Sequence, residues 1–153
     1  MARISVQIDD FDIAAEIAAL QNGDLSIGGL VTFTGTVRDV GGTLDSMTLE
    51  HYPGMTEKQL QLIAGQAEER WPLAGCTIIH RYGTLKPGEN IVLVITASAH
   101  RKAAFEAAEF LMDFLKSEAP FWKKEDGQEG SLWVDASDRD TVALERWQKT
   151  KTE

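Results

Sequence analysis

The chain has 153 residues, of which 43% are hydrophobic and 25% charged, proportions typical of one globular domain with a substantial core. Its net charge of −9 argues against general binding to nucleic acids or to anionic membrane surfaces, because both require a basic face. No apolar run approaches the ~20 residues of a membrane span and the start lacks the apolar core of a signal peptide, so we expect a cytoplasmic protein.

Strand-like and helix-like segments alternate in the first part of the chain. The segment "RISVQI" predicts a first strand, and a helix follows it and ends before Gly23. Its apolar residues Ile13, Ile17 and Leu20 share one face. The glycine-punctuated segment 28–38 predicts a strand with a bend or bulge, and "SMTLEHY" predicts its return after a turn in "VGGTLD".

A second helix is predicted after Pro53–Gly54 and ends at Pro72. Thr56 and Gln59 have the spacing of a capping box at its start. Its core stripe is predicted to contain Leu60, Ile63, Ala64, Ala67 and Trp71. Two strands, "CTIIHRYG" and "NIVLVITASA", then flank the turn "LKPGE".

The third helix is predicted over 101–117, with Ser98 as its cap and Pro120 after its end. Its predicted core face contains Phe105, Ala108, Leu111, Met112 and Leu115. Short strands, "FWKKE" and "SLWVDA", follow around the turn "DGQEG". Without repeats or linkers, the pattern predicts a single-domain α+β fold over 1–153, with a mixed or antiparallel sheet and about three main helices.

The sequence shows no metal, redox or nucleophile motif. Cys76 is the only cysteine and lies in an apolar run, which favours a small buried side chain over a catalytic thiol. His51 and His80 also lie in apolar strands, where core or hinge histidines are more common than ligands. The three histidines and one cysteine have no metal-ligand spacing, so we expect no metal and no cofactor.

The start of the third helix is a candidate anion site. His100 and Arg101 fall in or beside its first turn, followed by Lys102, where the helix dipole favours acids rather than bases. A bound anion, held by free backbone N–H groups and the guanidinium, would explain the two bases. The alternative is that Arg101 points away and pairs with a surface acid.

The segment "KSEAPFWKKE", residues 116–125, is unusually rich in lysine for so acidic a chain. Lys116 alone is explained by the dipole at a helix C-terminus. The lysines beside Phe121 and Trp122 also fit a partly apolar pocket, in which desolvation and like charge lower a lysine pKa toward the range of an acid–base catalyst. The two aromatic residues are equally suited to the core. Arg38, at a strand end before a glycine-rich turn, is a weaker candidate for holding a phosphate or carboxylate.

Five segments in order carry a family likeness: "VTFTGTVRD", "MTLEHYPGM", "IIHRYGTLKPGE", "SAHRKAAFEA" and "LKSEAPFWKKE". Together they resemble the large, catalytic subunit of molybdopterin synthase, the MoaE family of molybdenum-cofactor biosynthesis. The likeness covers about 28–147; residues 148–153 are expected to form a flexible tail. It implies an α/β-hammerhead-type α+β fold.

The resemblance also implies a reaction and its partners. A ubiquitin-like small subunit brings sulfur as a thiocarboxylate on its C-terminal Gly-Gly tail, and this sulfurtransferase converts cyclic pyranopterin monophosphate to the dithiolene of molybdopterin. Two sulfurs arrive from two partner molecules in turn. The implied assembly is a heterotetramer built on a homodimer of large subunits.

Site roles follow from the resemblance residue by residue. Lys116 and Lys123 match the family's catalytic lysines, Lys116 for acid–base steps beside the tail and Lys123 for substrate binding and stabilisation of negative charge. The matching substrate-binding positions are Arg38, His100, Arg101, Lys124 and Glu125. Two alternatives remain open at this point: a module that binds a ubiquitin-like tail without chemistry, and a different phosphate-ester enzyme that uses the same anion pocket.

Overall fold

The computed structural model of the chain describes residues 2–39, 41–127 and 130–134, together with 145 and 147. These residues form eight strands and three helices. The strands are β1 (Arg3–Gln7), β2 (Gly29–Thr36), β3 (Leu44–His51), β4 (Leu73–Arg81), β5 (Gly83–Leu85), β6 (Asn90–Ser98), β7 (Phe121–Gly127) and β8 (Gly130–Val134). The helices are α1 (Ile13–Gln21), α2 (Met55–Arg70) and α3 (Arg101–Ser117). The predicted α+β class with three helices is therefore confirmed.

The strands form two four-stranded sheets. Sheet A has the order β1-β4-β6-β2; β1 and β4 are parallel and the other pairs antiparallel. Sheet B has the order β5-β3-β7-β8 and is antiparallel throughout. The bulge predicted in the glycine-punctuated strand is present, as a register shift between Gly35 and Thr36.

The main core lies between sheet A and the helices α2 and α3. Cys76 and Ile78 of β4 contribute to it, as do Leu60 of α2 and Leu111 of α3. The stripe predicted for α2 is confirmed, since four of its members are buried and Trp71 packs against the same cluster. A smaller cluster on the other side of sheet A contains Ile79, Leu93 and Ile95, against which the predicted α1 face Ile13, Ile17 and Leu20 packs.

The prediction that Phe105 lies on the core face of α3 is wrong, because its side chain is 59% exposed. The alanines Ala103, Ala104, Ala107 and Ala108 are buried instead. These small side chains allow the helix to approach the sheet closely, and the buried Thr96 hydroxyl donates to the Ala104 carbonyl at 2.6 Å.

Two predicted helix caps are also wrong. The N-cap of α3 is His100, while the Ser98 hydroxyl donates to the carbonyl of Pro72. The N-cap of α2 is Gly54, whose N–H donates to the Glu57 carboxylate at 2.8 Å. In both cases the hydroxyl predicted as a cap donates to a backbone carbonyl instead. The hydroxyl of Thr56 donates to the carbonyl of Tyr52.

Near the end of the chain, Trp147 is buried against Trp71 and Phe110, and its indole N–H donates to Asp113. The predicted tail 148–153 lies outside the described residues. Among the helices that the structure describes, none is long and apolar enough to cross a membrane.

Candidate active site

Lys116 and Lys123 lie on two elements that meet at one corner of the fold. Lys116 is exposed in the last turn of α3, where a cation suits the helix dipole. Lys123 is half-buried on β7 and pairs with the buried Leu49 of β3. Because side chains of directly paired residues share a face, Lys123 lies on the core-facing side of sheet B.

The buried imidazole of His80 lies against the strand that carries Lys123. Its ring stacks on Phe121 of β7, with centroids 3.7 Å apart and planes inclined by 16°. Its Nδ1 lies 2.8 Å from the carbonyl oxygen of Arg81. The stack joins the end of β4 to the start of the lysine-bearing strand and is worth about 1 kcal/mol beyond burial.

Burial is the largest of the causes that lower the pKa of His80 to about 4; electrostatic interaction with Lys123, Lys116 and His51 also lowers it, and the hydrogen bond with the carbonyl of Arg81 opposes the shift. His80 is therefore neutral at pH 7.

His51 lies beside this group and is held by a chain of hydrogen bonds. Thr56 donates its hydroxyl hydrogen to Tyr52, so its oxygen accepts from Nδ1 of His51 at 3.0 Å. The His51 ring packs against Tyr82 and Phe121, at centroid distances of 4.4 and 6.1 Å. Both histidines are thus core residues with hydrogen-bond partners, as their sequence context indicates.

Two other residues of the lysine segment, Trp122 and Lys124, do not share the face of Lys123. Lys124 pairs with Thr48, so it lies on the opposite face of β7 from Lys123. Trp122 lies on that face too, 42% exposed, with its ring edge against Tyr52 at 4.9 Å. Of the two aromatic residues predicted as pocket walls, only Phe121 is on the face of Lys123. Glu125, the residue after Lys124, pairs with the buried Met47, so it lies on the face of Lys123, and it is exposed.

The predicted anion site at the start of α3 is an open depression of about 790 Å³, a size that suits a small-molecule ligand. Its lining is Gly28, Ala99, His100, Arg101, Lys102, Phe105 and Glu106. His100 caps the helix without a side-chain hydrogen bond, and no acid lies in the first turn. Among the described residues no acid pairs with Arg101; Lys102 contacts Glu106 at 4.0 Å. The alternative, in which Arg101 pairs with a surface acid, is therefore wrong for the described residues.

Within one chain, this depression and the lysines are far apart. Arg101 and Lys116 are fifteen residues apart on α3, which corresponds to roughly 22 Å of helix at 1.5 Å per residue. Arg38 is exposed just beyond β2, which starts beside Arg101 at Gly29 and ends at Thr36. Because α3 packs along β2, Arg38 lies toward the lysine end. The structure thus groups Lys116, Lys123 and Arg38 at one end and His100 with Arg101 at the other.

The remaining candidate groups offer no alternative chemistry. Cys76 is buried in the main core, and burial raises the pKa of its thiol to about 12, which keeps it protonated and unreactive at pH 7. Among the described residues, no three His, Cys, Asp or Glu side chains form a group that would hold a metal ion.

The sequence did not predict the contact of His80 with Phe121 on the lysine-bearing strand. Its signal is present only in part, as a histidine followed by arginine at the end of an apolar strand. Forty-one positions separate Phe121 from His80, and no local spacing connects them.

Comparisons with known proteins agree with this architecture. The sequence model of the MoaE protein family matches residues 6–118. The molybdopterin synthase catalytic subunit of Mesorhizobium japonicum is 58% identical over 150 residues, which cover 96% of this chain and 94% of the relative. Its counterpart in Brucella melitensis is 55% identical over 151 residues, covering 97% and 92%.

Solved structures show the same fold. A molybdopterin biosynthesis MoaE protein from Burkholderia ambifaria superposes with a TM-score of 0.84 at 52% identity, over 97% of this chain and 99% of that one. A structure described as molybdopterin synthase from Staphylococcus aureus superposes with a TM-score of 0.80 at 32% identity, over 88% and 98%.

Proposed function

The chain belongs to the MoaE protein family, and from this premise we propose that it is the catalytic subunit of a molybdopterin synthase. It transfers sulfur from the thiocarboxylated tail of a ubiquitin-like small subunit to cyclic pyranopterin monophosphate, forming the dithiolene of molybdopterin. The observation that supports this best is the position of Lys123 on the core-facing side of β7, two residues from the Phe121 ring that stacks on the buried His80, with Lys116 in the last turn of α3, the helix that precedes this strand.

The chemistry suits such a site. A thiocarboxylate carries its own nucleophilic sulfur, so the protein need supply only positive charge, proton transfer and orientation. Lys116, exposed at the end of α3, is accessible to a tail that enters from solvent. Lys123, half-buried on the core-facing side of sheet B, is placed to stabilise negative charge that develops on the substrate.

The second basic site suits the phosphate of the substrate. Arg101 has no competing acid among the described residues. The N-cap His100 makes no side-chain hydrogen bond to the start of α3, so backbone N–H groups there are offered to an anion. The roughly 22 Å between Arg101 and Lys116 in one chain is too long for one small substrate to contact both. We therefore propose that a homodimer brings Arg101 and His100 of one copy to the lysines of the other, with Arg38 beside them. Small subunits at the two ends would complete a heterotetramer.

We propose that the reaction takes place in the cytoplasm. The single thiol of the chain is buried and forms no disulfide within it, so the fold needs no oxidising compartment. Residues 1–153 are proposed to act as one domain. The region 28–147 carries the motifs.

A reconstituted assay tests the function. The purified chain is mixed with thiocarboxylated small subunit and cyclic pyranopterin monophosphate, and the dithiolene product is followed by mass spectrometry. We expect product only when all three components are present. A stable complex with the small subunit that never yields product would indicate a tail-binding module, and turnover of a phosphate ester without the small subunit would indicate another enzyme.

Arg101→Ala should raise KM for cyclic pyranopterin monophosphate about tenfold with a smaller effect on kcat, because a charge-assisted contact to phosphate is worth roughly 1.5–3 kcal/mol. Lys58→Ala, which removes an exposed cation on α2 outside the lining of the depression, is the matched control. An unchanged KM in Arg101→Ala would remove this residue from the site.

Mixed dimers test the shared site. Equal amounts of Arg101→Ala and Lys116→Ala protein, refolded together, should form some dimers with one intact composite site. Their activity should exceed that of either variant alone. Activity equal to the average of the two parents would place both residues in the same protomer's site.

A further inference from the structure

We propose that a second copy of this chain binds along the outer edge of β2 and the adjoining side of α3, so that the two copies of β2 pair antiparallel about a two-fold axis at Phe33. This inference rests on the proposed homodimer and states which surface forms it. The pairing joins the two copies of sheet A into one continuous sheet, with both copies of α3 on the same side of it.

The outer edge of β2 has the properties of a strand that pairs further. Among the residues that the structure describes, β2 is the longest strand at an edge of either sheet, and no strand pairs with its outer side. Its sequence, GLVTFTGT, contains no charged residue and no proline, the residues that commonly protect an edge strand from pairing. The register shift between Gly35 and Thr36 affects only its last residues.

Two exposed aromatic rings lie along the same surface. Phe33 pairs with Val94 of the main core, so its side chain lies on the face of sheet A that carries α3, and it is 41% exposed. On α3 itself, Phe105 is 59% exposed. The helix α2 lies over β1 and β4 and α3 over β6 and β2, and Phe110 of α3 contacts Trp71 at the end of α2. Phe105 is about 140° around the helix from Phe110, so it is directed away from α2 and toward the outer edge of β2.

A two-fold axis through the middle of this surface brings together the two ends of the proposed composite site. Gly29, at the start of β2, lies beside Arg101, because a Cβ built on Gly29 would lie 3.7 Å from the Cα of Arg101. Phe33 is about 14 Å along the strand from Gly29, at 3.4 Å per residue. The midpoint of α3 between Arg101 and Lys116 is about 11 Å along the helix from Arg101, at 1.5 Å per residue. The two middles coincide within about 3 Å, so one rotation places the Arg101 end of each copy beside the Lys116 end of the other.

The lateral spacing of the helices also fits this axis. Because α3 contacts both β6 and β2, it lies over the gap between these strands. With neighbouring strands about 4.8 Å apart, α3 lies about 5 Å to the side of the two-fold axis, and the two copies of α3 lie about 10 Å apart. This is the spacing of packed helices, so the two copies neither collide nor leave a gap.

The side chains on this side of α3 match in the antiparallel arrangement. Phe105 follows Arg101 by four residues and Met112 precedes Lys116 by four. Antiparallel copies of the helix therefore bring Phe105 of one copy against Met112 of the other, a favourable contact between an aromatic ring and a sulfur. They also bring Arg101 of one copy within the reach of a small substrate that contacts Lys116 of the other.

A cysteine placed on the axis tests the interface. Phe33 then lies opposite Phe33 of the other copy, at a Cα separation of about 4.5–5.5 Å that a disulfide spans. Cys76 does not compete, because it is buried and the pKa of its thiol is about 12. After mild oxidation of dilute Phe33→Cys protein, we expect a disulfide-linked dimer as the main species in non-reducing electrophoresis. Leu62→Cys, at a position that is 54% exposed on α2, is the matched control and should remain largely unlinked.

Phe33→Lys tests the same surface without a new bond. Two like charges directly opposed across the axis should raise the dissociation constant of the dimer at least about tenfold in sedimentation equilibrium. The circular dichroism spectrum should be unchanged, and Leu62→Lys should dissociate as the wild type does. A monomeric wild type, linking of Phe33→Cys no greater than that of Leu62→Cys, or a wild-type dissociation constant in Phe33→Lys would overturn the proposal.

Neither measurement uses the synthase reaction, so the two proposals fail separately. Product formation by a chain whose Phe33→Cys variant forms no linked dimer would leave the proposed function standing and refute this interface. Linked Phe33→Cys dimers in a protein without synthase activity would reject only the proposed function.

Discussion

Replacing Lys116 with alanine should lower the rate of dithiolene formation by about a hundredfold or more, the range that a positioned acid–base group contributes. Lys116 is exposed at the end of α3, so its loss removes only a favourable helix-dipole contact of under about 1 kcal/mol from the fold. The effect should therefore be on kcat, with an unchanged thermal midpoint and unchanged binding of the small subunit. Single-turnover assays at saturating substrate and partner measure it directly.

The matched comparison is with Lys123→Ala and Lys58→Ala. Lys123 is expected to affect substrate binding as well as kcat and to be less damaging than Lys116, because its role is to bind and to stabilise charge. Lys58, exposed on α2 and outside both basic sites, should leave turnover unchanged. Equal and mild losses in Lys116→Ala and Lys123→Ala would count against Lys116 as the residue of the sulfur-transfer step.

The fold was largely predictable because its signals are local. The stripes of α1 and α2 repeat at helical spacing, and the boundaries of α3 follow from Pro120 and the preceding strand. The errors arise where tertiary contacts override local preference. Ser98 and Thr56 have better partners than the helix ends, and α3 buries small alanines rather than Phe105 because close approach to the sheet requires them.

The site was predictable only in part, for the same reason. The helix dipole and the charge pattern identified His100, Arg101 and Lys116 as unusual, and the family likeness added Lys123. Strand alternation places Lys124 and Trp122 on the face of β7 opposite Lys123. Which of the two faces meets the core depends on the register with β3, and this cannot be read from composition. The position of His80 depends on contact between β4 and β7, which lie far apart in sequence.

Acidification from pH 6.5 toward pH 4 should destabilise the protein by up to about 3 kcal/mol through His80 alone. Its pKa falls from 6.5 in the unfolded chain to about 4 in the fold, so the unfolded state binds more protons between these values. The stabilising contribution is complete above pH 6.5 and is lost as the pH falls through this window. Urea unfolding at fixed protein concentration, repeated at intervals of pH, measures it.

His80→Gln removes the titrating ring, so its free energy of unfolding should change less with pH between 6.5 and 4 than that of the wild type, whatever its stability at pH 7. His100→Gln is the control, because it removes a histidine from an exposed position. The slope of the free energy of unfolding against pH is informative even if His80→Gln is less stable overall. Lost packing on Phe121 lowers this free energy by the same amount at every pH and leaves the slope unchanged. Parallel curves for the wild type and His80→Gln would mean that His80 accepts a proton in the folded protein without cost. That result would contradict the buried, neutral state of the His80 ring at pH 7.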